Sequence, residues 1–455
     1  MNRFDLILRD GTLVTHEGAR HADIGIADGI IAAIEPAING AVRGEINAAG
    51  LHIFPGLIDA HVHFNEPGRA DWEGFETGSH ALAAGGATMF FDMPLNSQPP
   101  TIDAESFSAK LALARTKSMV DFALWGGLVP GNLDRLEELR DCGAIGFKAF
   151  MADSGVEEFP RVDDATLREG MKRAAKLKLP VAVHAENQAT ISKLTQERLA
   201  QNKISIRDFL ESRPVAAELE AIRRALELAG ETGCAIHIVH VSCGAGVELV
   251  AEARARGVDA SCETCPHYLV GTGEDMEKIG APAKCAPPLR GPEENNQLWS
   301  ALSAGKVTTI GSDHSPAPPA MKSDGNFFKI WGGISGGQHT LTLLLSGYTG
   351  PGGIRRGIPL PSVVRMTSYN VAARFNLPRT KGRAEVGSHA DFALVNLQQI
   401  FEIKREELLD RHGLSPYVGR RVRGKVERTI VRGQTVFKDG KIVAKRLGQL
   451  VAPNQ

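Results

Sequence analysis

Polar and apolar positions change rhythm twice along this chain. Near the start, "FDLILRDGTLVT" and "ADIGIADGIIAAIEP" show short bursts of Val, Ile and Leu broken by Asp-Gly pairs. That is the pattern of short antiparallel strands joined by hairpins. The end of the chain, "HADFALVNL" and "VERTIVRGQTVFKDGKIV", repeats it. The two ends are expected to pair into one small β-sandwich domain, residues 1–52 with 380–455, bracketing a central domain over 53–379.

In the central stretch, apolar runs of strand length alternate with longer amphipathic segments. Eight runs fit strands: "IFPGLIDAH", "ATMFFDM", "VDFALWGGL", "AIGFKAF", "PVAVHAE", "AIHIVHVS", "VDASCET" and "KVTTIGSD". Between them, "DDATLREGMKRAAKLK" and "VAAELEAIRRALELAGE" carry apolar residues at three- and four-residue spacing, which predicts helices. Asp163 or Asp164 is placed to cap the first, with Arg and Lys near its C-terminal end. Eight strand–helix units over roughly 260–320 residues point to a closed parallel barrel. An open doubly wound sheet would show a glycine fingerprint after its first strand, and none follows "IFPGLIDAH". The expected class is therefore α/β, a (β/α)8 TIM-type barrel with a composite β-sandwich.

Composition narrows the function. With 455 residues and 43% hydrophobic content the chain can bury a large core. A formal net charge of −1 leaves no basic footprint for nucleic acid and no cationic surface for a membrane. No apolar run approaches the ~20 residues of a membrane span. The opening "MNRFDLILRDG" carries charges where a secretory signal needs an apolar core, so a cytoplasmic location is expected. Six cysteines in so long a chain do not make a disulfide framework, and Cys262 and Cys265 form a lone C-x-x-C without the second pair a zinc ribbon needs.

In a barrel of this kind the chemistry sits where strands end and βα loops begin. Those ends carry His61 and His63, then Lys148, His184, His240 and Asp313. One histidine at a strand end is usually a packed imidazole; four histidines, a lysine and an aspartate at matching ends argue for a shared ion. Residues i and i+2 share a strand face, so His61 and His63 can point at one metal. Neutral imidazoles suit zinc, with manganese, cobalt or nickel open to the same ligands. Lys148 has two readings. It pairs with a carboxylate or a substrate oxygen, or it reacts with carbon dioxide to give a carbamate that bridges two metals. The residues by themselves leave both open.

Taken together, "PGLIDAHVHFNEPGR", "GFKAF", "AVHAEN", "VHVSC", "TCPHYL" and "IGSDHSP" resemble the cyclic amidohydrolases of the dihydropyrimidinase, dihydroorotase and allantoinase branch. The resemblance spans nearly the whole chain. It implies that His61, His63 and Asp313 bind one divalent ion, that His184 and His240 bind a second, and that a carbamylated Lys148 bridges them. It also implies a homotetramer and a small cyclic ureide as substrate. Two ions sharing one water would supply hydroxide near neutral pH, with Asp313 taking the water's proton and returning it to the leaving nitrogen.

Dihydroorotases carry Arg two residues after H-x-H, where this chain has Asn65, a group without the charge to grip a carboxylate; Arg69 lies in the same loop. Hydantoinases place a Tyr shortly after the bridging lysine, where "KAFMADSGVEEF" offers Asp153 and Ser154. The loops "NEPGRADWEGFETGS", "DMPLNSQPPT" and "ADSGVEEFP" look most like those of the allantoinases, implying conversion of allantoin to allantoate. Asn96 and Ser315 are then the expected substrate contacts, with turn-forming as the alternative for each. The other ten histidines are left out of the site, His237 because three residues along a strand from His240 it should face away. His267 and His314 lie nearest and are candidates for orienting a ligand or contacting substrate. The rivals are a hydantoinase or dihydropyrimidinase and, in a different class, a non-catalytic scaffold of the same fold.

Overall fold

The computed structural model describes residues 4–40, 42–349 and 355–454. Both chain ends contribute to one nine-stranded sheet. From the N-terminal side come β1 (Phe4–Val14), β2 (Ala19–Ala27), β3 (Ile30–Glu35), β4 (Val42–Asn47) and β5 (His52–Pro55). The pairing differs from a run of hairpins. The Asp28–Gly29 pair turns β2 into β3, but Asp10 (φ 57°) sits inside β1, where the register against β2 slips between Leu8 and Gly11. That Asp-Gly is a bulge within one long strand. β1 also runs parallel to both β4 and β5, so the sheet is mixed.

Gly56 separates β5 from β6 (Leu57–Val62), and at this glycine the chain leaves the first sheet for the barrel. A Cβ at Gly56 would overlap the Thr88 side chain, so the close crossing needs glycine. The barrel continues through β7 (Ala87–Asp92), β8 (Asp121–Leu124), β9 (Gly126–Gly127), β10 (Phe147–Phe150), β11 (Val181–His184), β12 (Ile236–Ile238), β13 (Ala260–Thr264) and β14 (Thr309–Ile310). Each of the eight predicted runs holds a barrel strand, the third split at Trp125. Neighbours pair in parallel, and the ring closes where His63 N donates to His314 O (2.8 Å) and Ser312 N to the Asp59 carboxylate (3.0 Å). A short ribbon, β15 (Tyr348–Thr349) with β16 (Arg355–Arg356), follows. Then β17 (Phe392–Glu402), β18 (Arg421–Val431), β19 (Gln434–Lys438) and β20 (Lys441–Ile442) return to the first sheet, β17 pairing with β5.

Strand periodicity divides the barrel core in two. Phe90, Phe122, Leu124, Phe147, Val181 and Val183 pack outward into the cluster shared with the helices. Alternate residues, Met89, Phe91, Ala123 and Ala182, form a separate inner cluster with Trp125 and Phe375. Each such buried Phe or Leu contributes about 1.5–3 kcal/mol by leaving water. On β10 and β11 the inner-face residues are Lys148, Ala182 and His184, so the same alternation that buries the core aims chemistry inward. Of the predicted helices, Asp164–Leu177 is capped by Asp163, whose side chain accepts from Thr166 N, and Val215–Thr232 ends at Gly233 in the left-handed region.

Candidate metal centre and substrate cavity

Six side chains from six positions along the chain meet above the inner cluster. His61 Nε2 and His63 Nε2 each lie 3.3 Å from Asp313 Oδ1, and the three ligand atoms fall within 4.8 Å of one another. His184 Nδ1 and His240 Nε2 form a second convergence at 3.0 Å. The His61 and His240 ring centroids are 5.4 Å apart, so the two groups adjoin. Lys148 is within electrostatic reach of both groups and 4.9 Å from the centre of the Phe150 ring, wholly buried, with no hydrogen-bond partner for Nζ among the described residues. Burial, the dominant cause, pushes its amine down to about 7, and lowers His63 to about 4 and His184 and His240 below the usual histidine range. Asp313 stays well below the carboxylate range: burial works against the charge, but the imidazoles around it win.

Outer partners fix the rings. His61 Nδ1 contacts Glu263 Oε1 at 2.8 Å, leaving Nε2 toward Asp313; the imidazoles hold Glu263 down at about 2. His184 Nε2 contacts Glu186 Oε2 at 2.8 Å, leaving Nδ1 toward His240, and Arg213 grips Glu186 through Nε and Nη2. Asp59 accepts from the N–H groups of His61 and Ser312, and burial raises it to about 6. These partners orient ligand rings and set which nitrogen carries the proton. Sequence reasoning passed over Glu263, Glu186, Asp59 and Arg213. Glu186 carried a signal, the i+2 position after His184; Arg213, after a helix end, carried none.

Two of the expectations change. His237 does not face away: β12 ends at Ile238, the chain kinks, and His240 takes φ 40°, so strand parity no longer relates the two. His237 lies beside Glu263 and contacts Ser261 Oγ at 2.7 Å. Asn65 is wholly buried at φ 66°, does not line the cavity, and has neither amide atom hydrogen-bonded among the described residues. Arg69 is likewise committed, to Glu158 and to the carbonyl of Asn96.

The cavity over the ligand set is walled by Asn96, Phe150, Asp153, Ser154, Ser315 and Trp331. Asn96 also lies 3.3 Å from His63 Nδ1. His314 turns outward: its Nδ1 accepts from Gly336 and Gly337 N–H, and its Nε2 lies 3.4 Å from Glu73. His267 is buried with neither ring nitrogen hydrogen-bonded among the described residues.

Residues 52–436 match the model of the amidohydrolase family. The chain belongs to the amidohydrolase family. This amidohydrolase is 53% identical to an allantoinase of Rubrobacter xylanophilus, over 100% of this chain and 99% of the relative, and 52% identical to an allantoinase of Deinococcus radiodurans, over 99% of each. Among solved structures it superposes on the L-hydantoinase (dihydropyrimidinase) of Arthrobacter aurescens with a TM-score of 0.94, at 35% identity, covering 99% of this chain and 100% of that one. The barrel with its added β-sheet is thus the fold of the family. The amidohydrolase is an enzyme of the cyclic-amide-hydrolysing type, and family membership together with the His61–His63–Asp313 cluster supports a bound divalent metal. Among the described residues no helix is long and apolar enough to cross a membrane.

Proposed function

We propose that this amidohydrolase opens the hydantoin ring of allantoin to give allantoate. The observation that carries the reading is the cavity itself, with the metal-ligand cluster as its floor and the uncharged Asn96 and Ser315 in its wall, in a chain 53% identical to an allantoinase. Allantoin is an uncharged ring with a ureido arm, which calls for neutral donors and acceptors.

We assign His61, His63 and Asp313 to one divalent ion, His184 and His240 to a second, and Lys148, as its carbamate, to the bridge. The donor set supports this. A buried ammonium without partners is costly, whereas a carboxylate-like carbamate suits a position between two imidazole groups. It forms when the neutral amine nitrogen bonds to carbon dioxide and sheds one proton. Zinc fits imidazole and carboxylate oxygen; manganese, cobalt and nickel accept the same ligands. When bound, such ions polarise the ring carbonyl and acidify a water.

The chain's own groups do the rest. Asp313, ionised in its ring of imidazoles, accepts the proton of the attacking water and delivers it to the ring nitrogen as the C–N bond breaks. Asn96 and Ser315 hold the substrate, and Phe150 and Trp331 shield it from bulk water. Similarity to the L-hydantoinase favours a second reading, action on simpler hydantoins, but among the described residues no tyrosine lines the cavity and the identity is 35% against 53%. We further propose a cytoplasmic homotetramer divided as 1–52 with 380–455 and 53–379. Free, mostly buried cysteines support a reducing compartment, and the family resemblance supports the tetramer.

The test is hydrolysis of allantoin, hydantoin, dihydrouracil and dihydroorotate, with and without a chelator. Chelator-sensitive turnover confined to allantoin is expected. Preference for hydantoin or dihydrouracil would overturn the substrate, and chelator-insensitive turnover would overturn the metal assignments.

A further inference from the structure

Two lysines outside the ligand set hold one stretch of the cavity wall by its main chain. Lys284, 4% exposed, donates from Nζ to the carbonyls of Phe327 (2.7 Å), Phe328 (3.3 Å) and Ile330. The same ammonium lies 4.6 Å from the Phe209 ring centre and 5.2 Å from that of Phe327. Lys322, partly buried, donates to the carbonyls of Trp331 (2.8 Å), Gly333 (2.7 Å) and Ala281 (3.2 Å). Between them the two side chains take five carbonyls of the segment 327–333. Neither forms an ion pair with a carboxylate among the described residues, and the charged neighbours of Lys284 are Lys322 and Arg213, both cations. Buried charges are normally paired; here carbonyl dipoles and ring faces take the place of the counter-ion.

The segment so held is functional surface. Trp331 and Gly332 line the cavity, and Trp331 packs edge-on against Trp72 at 4.8 Å. Gly333 N donates to Lys284 O (2.8 Å), and a Cβ at Gly333 would collide with Ser315, so the segment and Ser315 are in close contact. Shifting 327–333 therefore moves three parts of the wall together: Trp331, Gly332 and Ser315. The metal-ligand cluster hangs on other elements, β6, β10, β11, β12 and the end of β14.

We propose that Lys284 and Lys322 are positioning residues whose ammonium groups clamp the main chain of 327–333 and so set the substrate-binding wall without acting on the metal centre. A methionine of similar length keeps the apolar stem but leaves three carbonyls of the segment without their donor at position 284 and two at position 322. Burial lowers both ammoniums to about 7, helped at Lys284 by the nearby cations Lys322 and Arg213, in keeping with cages that offer carbonyls and rings but no carboxylate.

The inference rests on the cavity being the substrate site, but not on which cyclic amide fills it. Lys322→Met, Lys322→Gln and Lys284→Met are compared with wild type as metal-loaded full-length protein. Hydrogen exchange over 327–333 is read without substrate, and KM and kcat on whichever cyclic amide the wild type turns over best. Lys322→Met is expected to speed exchange in the segment about tenfold. It is expected to raise KM about tenfold with kcat and metal content nearly unchanged. Lys322→Gln, which keeps two N–H donors, recovers part of both effects. Unchanged exchange and KM in Lys322→Met would overturn the proposal, as would a fall in kcat at constant KM. Should Lys284→Met fail to fold, the pair at Lys322 decides alone. A wild type inactive on every cyclic amide would overturn the proposed function, leaving exchange to test the clamp by itself.

Discussion

Replacing Glu263 by glutamine separates two things a buried carboxylate does for a ligand histidine. Glu263 and His61 are both buried and 2.8 Å apart, so no water can stand in for a lost partner. Glutamine keeps an acceptor oxygen within reach of Nδ1–H, and the ring keeps its orientation. What disappears is the negative charge that makes Nε2 a stronger donor toward an ion beside Asp313. Loss of such an outer partner typically costs 10–100-fold in metal affinity, about 1.4–2.7 kcal/mol. Glu263→Ala also strands the His61 N–H in a dry site, adding roughly 1–3 kcal/mol. The order wild type, then Glu263→Gln, then Glu263→Ala is therefore predicted for metal affinity. Equilibrium dialysis against buffered free zinc, with bound metal counted directly, reads this without any substrate. Affinity within about twofold of wild type in Glu263→Gln would refute the charge argument. Equal losses in the two variants would refute the claim that an accepting oxygen preserves the ring.

Three further outcomes are expected. Lys148→Ala should lose both metal and activity, with partial recovery on adding small carboxylates; two retained metals at full rate would remove Lys148 from the bridge. Asp313→Asn should lower kcat by about 10²–10⁴-fold even where metal is retained, the usual worth of a general acid–base group, as steady-state kinetics at saturating metal would show. His339, held by burial at about 4, gives an acid-sensitivity test. The unfolded residue titrates near ~6.5, so below that pH only the unfolded chain takes up the proton. The stabilisation is complete above pH ~6.5 and lost progressively as pH falls toward 4, about 2 kcal/mol of it by pH 5. His339→Gln should flatten the fall between pH 7 and pH 5 in chemical denaturation, and an unchanged slope would exclude His339 as its source.

The barrel was legible because its strands are short apolar runs between amphipathic helices, and both patterns are local. The convergence of the candidate ligands was legible for the same reason: on β10 and β11 strand parity puts Lys148 and His184 on the inner face. Parity failed at His237 because the chain leaves β12 before His240, and no local pattern marks where a strand stops. The parallel pairing of β1 with β4 and β5 escaped for a related reason, since Asp10–Gly11 has the residues of a hairpin turn but serves as a bulge. Glu263 reaches a histidine 202 residues away, and Lys284 reaches carbonyls 43 to 46 residues away. Such pairings exist only once the barrel has closed.

Backbone conformation at the strand ends explains the asparagine after the paired histidines. Asn65 (φ 66°), Asn96 (φ 67°), His240 (φ 40°) and Asp313 (φ 48°) all occupy the left-handed region, each a few residues past the end of a barrel strand. A residue other than glycine pays of order 1–3 kcal/mol to sit there. Asn and Asp pay least, because their short polar side chains tolerate the conformation. The turn folds the chain back over the barrel mouth, which is how Asp313 comes within reach of His61 and His63. Position 65 therefore favours asparagine for its backbone, whatever the charge of the substrate. With Asn65 away from the wall and Arg69 bound to Glu158, neither of the residues first weighed as substrate readers faces the cavity. Under the proposed function, discrimination among cyclic amides falls instead to the wall that includes Asn96, Asp153, Ser154, Arg213, Ser315 and Trp331. Part of that wall is the segment gripped by Lys284 and Lys322, so the proposed clamp would tie substrate choice to the conformation of one loop.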